Sequence, residues 1–150
     1  MWYSRVVASL GAIPDFIDYY EAQLAEAKQE VGTFGNIEKN LSKLPGITEH
    51  RFNQLQEIEA VLNYLNIQLR KIRRKHFQKY LEHYARALTS RDAEKFADGD
   101  EDVIMYQELV NEVALMRNKW QGIIKTLDIK GFQINNVIRL KIAGQEDFRL

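Results

Sequence analysis

From Thr48 to Leu88 the chain runs for 41 residues without a proline or a glycine. Within that run Leu55, Ile58, Leu62, Leu65, Leu69 and Ile72 recur at alternating steps of three and four. That spacing is the a/d seam of a heptad. A sheet needs alternation by twos, so the segment is read as one helix of roughly 60 Å. A compact chain of this length has a radius of gyration near 15 Å, so such a helix overshoots a globule and its seam needs a covering helix, from this chain or a neighbouring copy. We expect a homo-oligomer on that ground. Past Ile72 the strict heptad would place His76 and Lys79 on the seam; apolar positions resume in a shifted phase at Phe77, Leu81, Tyr84 and Leu88. The buried face is expected to change partner near residue 75.

A second seam follows. Tyr106, Leu109, Val113, Met116, Trp120, Ile123 and Leu127 keep the same stepping. Asp100 is positioned to cap that helix, with Glu101 and Asp102 at its positive end, and Gly131 reads as its stop. Upstream, Phe16, Ile17, Tyr20, Leu24 and Ala27 mark a helix from Pro14 to about Val31, preceded by a short amphipathic segment from Met1 to Ala12. Asn36 can cap a short helix to Leu44, and Pro45-Gly46 reads as a turn. Phe132–Leu150 fits a helix better than a strand, because no other segment offers it a sheet. The expected fold is all-α: an elongated helical hairpin or bundle of two long heptad-patterned helices with shorter N- and C-terminal helices. One domain is expected over residues 1–150, with short helices in 1–46, a long basic helix in 47–89, a long helix in 100–130 and a helical tail in 132–150.

Several functions find no support in the residues. With no cysteine there is no disulfide scaffold, thiol chemistry or cysteine zinc site. His50, His76 and His83 lack metal-ligand spacing, and no phosphate-binding glycine loop or GxSxG nucleophile motif occurs. Asp98, Asp100 and Asp102 imitate the start of a calcium loop, but Val103 stands where the loop needs glycine and Leu109 where it needs glutamate. No enzyme activity, metal or cofactor is expected. No apolar run is long enough to cross a bilayer and no secretion signal opens the chain, so a cytoplasmic protein without a membrane partner is expected.

Charge is the informative feature. The 21 basic and 21 acidic residues cancel overall, yet they are segregated. Residues 63–91 carry eight basic and one acidic side chain; residues 92–112 carry one basic and eight acidic. Arg70, Lys71, Arg73, Arg74, Lys75 and Lys79 form a belt with no acidic residue among them. Like charges so close on one helix repel, and they become favourable on neutralising phosphates and releasing counterions. The plainer alternatives are a solvated basic face, or one neutralised by the acidic segment. A direct antiparallel hairpin about residue 95 places residue i beside roughly 190 − i. In that register the acidic segment misses Arg70–Lys75, and Arg117 and Lys119 reinforce the belt. Tyr80 and His83 are the better candidates for stacking bases, while Phe77 and Tyr84 fit the apolar phase.

The C-terminal half carries a further signal. Ala97-Asp98-Gly99-Asp100-Glu101-Asp102-Val103 leads into the helix with Trp120, followed by Ile123 to Ile138, including Lys130-Gly131-Phe132-Gln133-Ile134, and then Ala143-Gly144. This pattern resembles the UvsY-type recombination mediators of T4-like bacteriophages, over about residues 97–144 and loosely through Lys79–Tyr84. The resemblance implies a small helical protein forming a ring-shaped homo-oligomer in the cytoplasm of the infected host cell. It implies binding of single-stranded DNA, with the phage recombinase and single-strand-binding protein as partners. That family's two DNA-contacting cations precede a Leu-acidic-Tyr-Tyr run; here Lys79 alone stands there, and the charge lies one to two turns earlier, at Arg70–Lys75. The expected DNA-binding residues are therefore Arg70, Lys71, Arg73, Arg74, Lys75, Lys79 and Tyr80, with Arg117 and Lys119. The alternative is a helical phage assembly or scaffold-type protein whose basic face is incidental.

Overall fold

A computed structural model describes residues 1–32, 35–83 and 88–144. The chain is all-α, and no strand occurs among the described residues. The elements are α1 (Trp2–Ala8), a single 3-10 turn (Leu10–Ala12), α2 (Ile13–Glu30), α3 (Ile37–Glu82), α4 (Ser90–Asp98) and α5 (Glu101–Ile142).

The two seams face each other. Leu55, Ile58, Leu62, Leu65 and Leu69 of α3 are buried, as are Val113, Met116, Trp120, Ile123 and Leu127 of α5. The covering helix thus comes from the same chain, and the α3 seam makes no demand of its own for a second copy. Over the middle of this hairpin α1 and α2 add a third layer. Val6, Phe16, Tyr20, Leu24 and Ala27 enter the common core. Tyr20 packs edge-on against Trp120, with ring centroids 5.8 Å apart. At 46 residues α3 is about 69 Å long. The chain exposes 10095 Å², against about 7,900 Å² for a compact monomer of its mass.

Two expected helix stops are overridden. Pro45-Gly46 does not turn: Asn36 caps α3, its Oδ1 accepting from the Glu38 amide at 2.8 Å, and the helix continues through Pro45. A helix-interior proline costs about 3 kcal/mol. Leu44 is buried on one side of it and Ile47 packs on the core on the other. Burying Leu44, at about 1.5–3 kcal/mol, together with the covered part of Ile47 offsets that cost, while Pro45 itself faces solvent. Gly131 likewise sits inside α5. Leu127, Ile134 and Val137 around it are buried, and a Cβ on Gly131 would make only ordinary van der Waals contact with Leu44 Cδ2 at 3.4 Å, so Gly131 is an interior position of the helix rather than its stop. The tail is helical to Ile142; the expectation for residues 145–150 lies outside the described residues.

Candidate nucleic-acid interface

The hairpin register differs from the expected one, and this decides what surrounds the belt. Leu44 meets Gly131, Arg51 lies over the Trp120 ring, and His76 meets Asp102. The acidic start of α5 therefore stands beside the belt, where residues 115–120 were expected. The cause is α4. Residues 90–98 fold back on α3 as a separate helix capped by Thr89, whose Oγ1 accepts from the Asp92 amide at 3.2 Å. The chain has thus already reversed where α4 begins, and partners are separated by less chain than a turn about residue 95 requires: 26 residues from His76 to Asp102, against 38 in the expected register. Arg117 and Lys119 lie about 22–25 Å along α5 from Asp102, near the Arg51–Trp120 contact, so they do not join the belt. Arg117 Nε donates to Asn118 Oδ1 at 3.1 Å, and Lys119 is exposed.

The junction of α3, α4 and α5 holds a compact polar knot. His76 Nδ1 lies 3.1 Å from Asp100 Oδ2, and its Nε2 lies 3.3 Å from Asp102 Oδ2. The Tyr80 hydroxyl donates to Asp100 Oδ1 at 3.3 Å. Asp100 does occupy the N-cap position of α5, but its carboxylate makes no capping bond; it is turned toward His76 and Tyr80 instead. Arg73 Nε meets Asp98 Oδ1 at 3.0 Å. No group of three or more His, Asp or Glu among the described residues is arranged to hold a metal ion.

Helical geometry divides the belt in two. Arg70, Arg73, Arg74 and Phe77 turn toward α4, where with Glu94 and Asp98 they line a groove of about 460 Å³. Lys71, Lys75 and Lys79 stand one turn apart along the outer face, all exposed. Among the described residues Arg73 alone of the six belt cations has a carboxylate partner. That pair is itself 44% and 59% exposed, so it is worth little. The acidic segment was expected to neutralise Lys79 and to miss Arg70–Lys75; among the described residues it pairs with Arg73 instead and claims one belt cation of six.

The aromatic assignments reverse. Tyr80, expected to stack bases, is engaged inside the protein: its ring stacks on Phe96 with centroids 5.3 Å apart, and Lys79 Nζ lies 5.6 Å from its centroid. Phe77, expected in the core, is half-buried and lines the groove. His83 is exposed, with Nε2 3.9 Å from Glu82. Tyr84 lies outside the described residues. The sequence holds no sign of Glu94 as a belt neighbour and offers Asp98 only as the start of a false calcium loop, though Thr89 with Ala93 and Ala97 at four-residue spacing signals a short capped helix.

No known family model, curated protein or solved structure matches this chain. No helix of the described residues is long and apolar enough to cross a membrane.

Proposed function

We propose that this chain binds single-stranded DNA through the basic belt of α3, as an accessory protein of the recombination-mediator kind that its C-terminal half resembles. The observation that carries the reading is the state of the cations. Arg70, Lys71, Arg74, Lys75 and Lys79 form no ion pair among the described residues, although an acidic helix start lies beside them. Such a row has little to gain from its own fold and much from a phosphate strand. Arg73 joins it at the cost of a weak, exposed pair. A single strand suits a site with a groove beside a cation row better than a duplex does, because unstacked bases need somewhere to go. The partners proposed with it are the phage recombinase and single-strand-binding protein, in the host cytoplasm, with a homo-oligomer multiplying modest contacts per chain. The role is binding rather than catalysis.

The test is a titration of labelled single- and double-stranded oligonucleotides at two salt concentrations. Single strands are expected to bind more tightly. The triple variant Lys71→Gln, Arg74→Gln, Lys75→Gln should bind more weakly and lose about 0.7 log units of salt slope per lost contact. Equal binding by the variant refutes the belt.

A second reading has its own observation. At the other end of the hairpin Phe52 and Phe132 are exposed along an apolar groove with Leu44, Ile124 and Leu127. A helical assembly protein would use that groove and leave the belt incidental. It predicts weak binding without strand preference.

A further inference from the structure

The groove between α3 and α4 contains something a plain phosphate track does not want. Of its two carboxylates, Asp98 is engaged by Arg73 at 3.0 Å. Glu94 is exposed and makes no hydrogen bond or ion pair among the described residues. It faces the same space as Arg70, Arg74 and the half-buried Phe77 ring. A free carboxylate repels phosphate, so a strand passing only its backbone through this groove would be weakened by Glu94. A ligand that satisfies the whole lining needs an aromatic face for Phe77, acceptors for a guanidinium and a pair of donors for a carboxylate.

Among the bases this combination is met by guanine. Its N1–H and N2–H are adjacent donors on one edge and its O6 and N7 adjacent acceptors on another, where arginine pairs bidentately. Adenine and cytosine set a ring-nitrogen acceptor beside their amino group, which opposes a carboxylate. Thymine offers one N–H between two carbonyls. We propose that the α3–α4 groove seats one unstacked guanine of the bound strand, with Glu94 accepting from N1–H and N2–H, the Arg70/Arg74 pair donating to O6 and N7, and Phe77 under the ring. The volume of about 460 Å³ falls in the range of small-ligand pockets. This inference rests on the proposed single-strand reading and adds a base preference to it. Lys71, Lys75 and Lys79, outside the groove, supply the sequence-independent part of the binding.

Fluorescence anisotropy with three strands tests it: an all-dT oligonucleotide, the same strand with one central dG, and the same with one central deoxyinosine, which keeps N1–H and lacks the 2-amino group. The dG strand should bind at least about fivefold more tightly than all-dT, with inosine between them. Glu94→Ala should erase the dG preference and at the same time tighten all-dT, because a like charge leaves the phosphate path. Glu94 is exposed, and a far-UV circular dichroism spectrum unchanged from wild type confirms that the variant is folded. Equal binding of the three strands with the salt dependence intact overturns the guanine seat and leaves the single-strand reading standing, as does a dG preference that survives Glu94→Ala. No binding of any strand overturns both.

Discussion

Replacing Arg51 by Met keeps the aliphatic stem and removes the guanidinium at the centre of a buried polar cluster. Arg51 is 2% exposed. Its Nε donates to Glu30 Oε2 at 3.0 Å, and its Nη1 to Gln23 Oε1 at 3.0 Å and Gln54 Oε1 at 2.9 Å. Its Cζ lies 5.8 Å from the Trp120 ring centroid. These contacts tie α2, α3 and α5 together at one level. Breaking a buried pair from one side costs about 3–5 kcal/mol. Glu30 is 28% exposed and can recruit water, so we take the lower figure, about 3 kcal/mol. Unfolding entropy near 2.1 cal/mol/K per residue gives about 0.3 kcal/mol/K for a chain of this length. The expected loss is then about 10 °C in Tm by circular dichroism. Adding Glu30→Gln to Arg51→Met should recover part of that loss, because the stranded charge goes, and the double-mutant cycle should show coupling of about 1–2 kcal/mol. A fall in Tm of less than about 2 °C for Arg51→Met, or an additive cycle, refutes the view that this cluster fixes the level at which α2 joins the hairpin.

Four smaller predictions follow from single sites. Gly122 lies inside α5 with open space where a Cβ would go, so Gly122→Ala should stabilise by about 1 kcal/mol; urea titration reads it, and no gain counts against an unstrained helix there. Burial first, and then the hydrogen bond to Glu57, push the Tyr20 hydroxyl well above the usual tyrosine value of 10.0. The folded chain therefore keeps a proton that the unfolded chain releases, so stability is full below pH 10 and falls above it; Tyr20→Phe should lessen that slope by about 1.4 kcal/mol per pH unit. Lys130 is buried and donates to the Glu30 carbonyl at 2.8 Å; desolvation lowers its pKa from 10.5, with Glu30 partly opposing. Unfolding then binds a proton in the window from the lowered value up to 10.5, so this residue's contribution to stability climbs with pH across it, and Lys130→Met should show no such climb in pH-dependent melts. A double-mutant cycle on Arg73 and Asp98 should give coupling below about 1 kcal/mol, as for other exposed pairs.

The seams of α3 and α5 and the α2 face were legible because their three-four spacing is a direct image of the helix surface that gets buried. The stops read at Pro45-Gly46 and Gly131 were not, since they rest on local preference alone. Leu44, Ile47, Leu127 and Ile134 anchor both sides of those positions, and their packing outweighs it. α4 went unread because it is short and buries only Ala93 and Ala97, too small to mark an apolar stripe. Missing it moved the whole hairpin register, and with it the surroundings of every belt residue. The belt was visible as a run of cations, but a run does not say which of its faces a short helix will take. That is why Tyr80 and Phe77 exchanged their expected places, and why Arg117 and Lys119 ended far from the cations they were expected to join.

The length of α3 has a consequence for how the molecule meets other charges. Lys39 and Lys43 stand near its start and the belt near its end, about 50 Å apart along the axis. The screening length in physiological salt is about 8 Å. An ion approaching the belt therefore feels nothing of Lys39 and Lys43. The two ends act as separate electrostatic bodies carried on one stiff shaft, and whatever binds one reaches the other only through the helices.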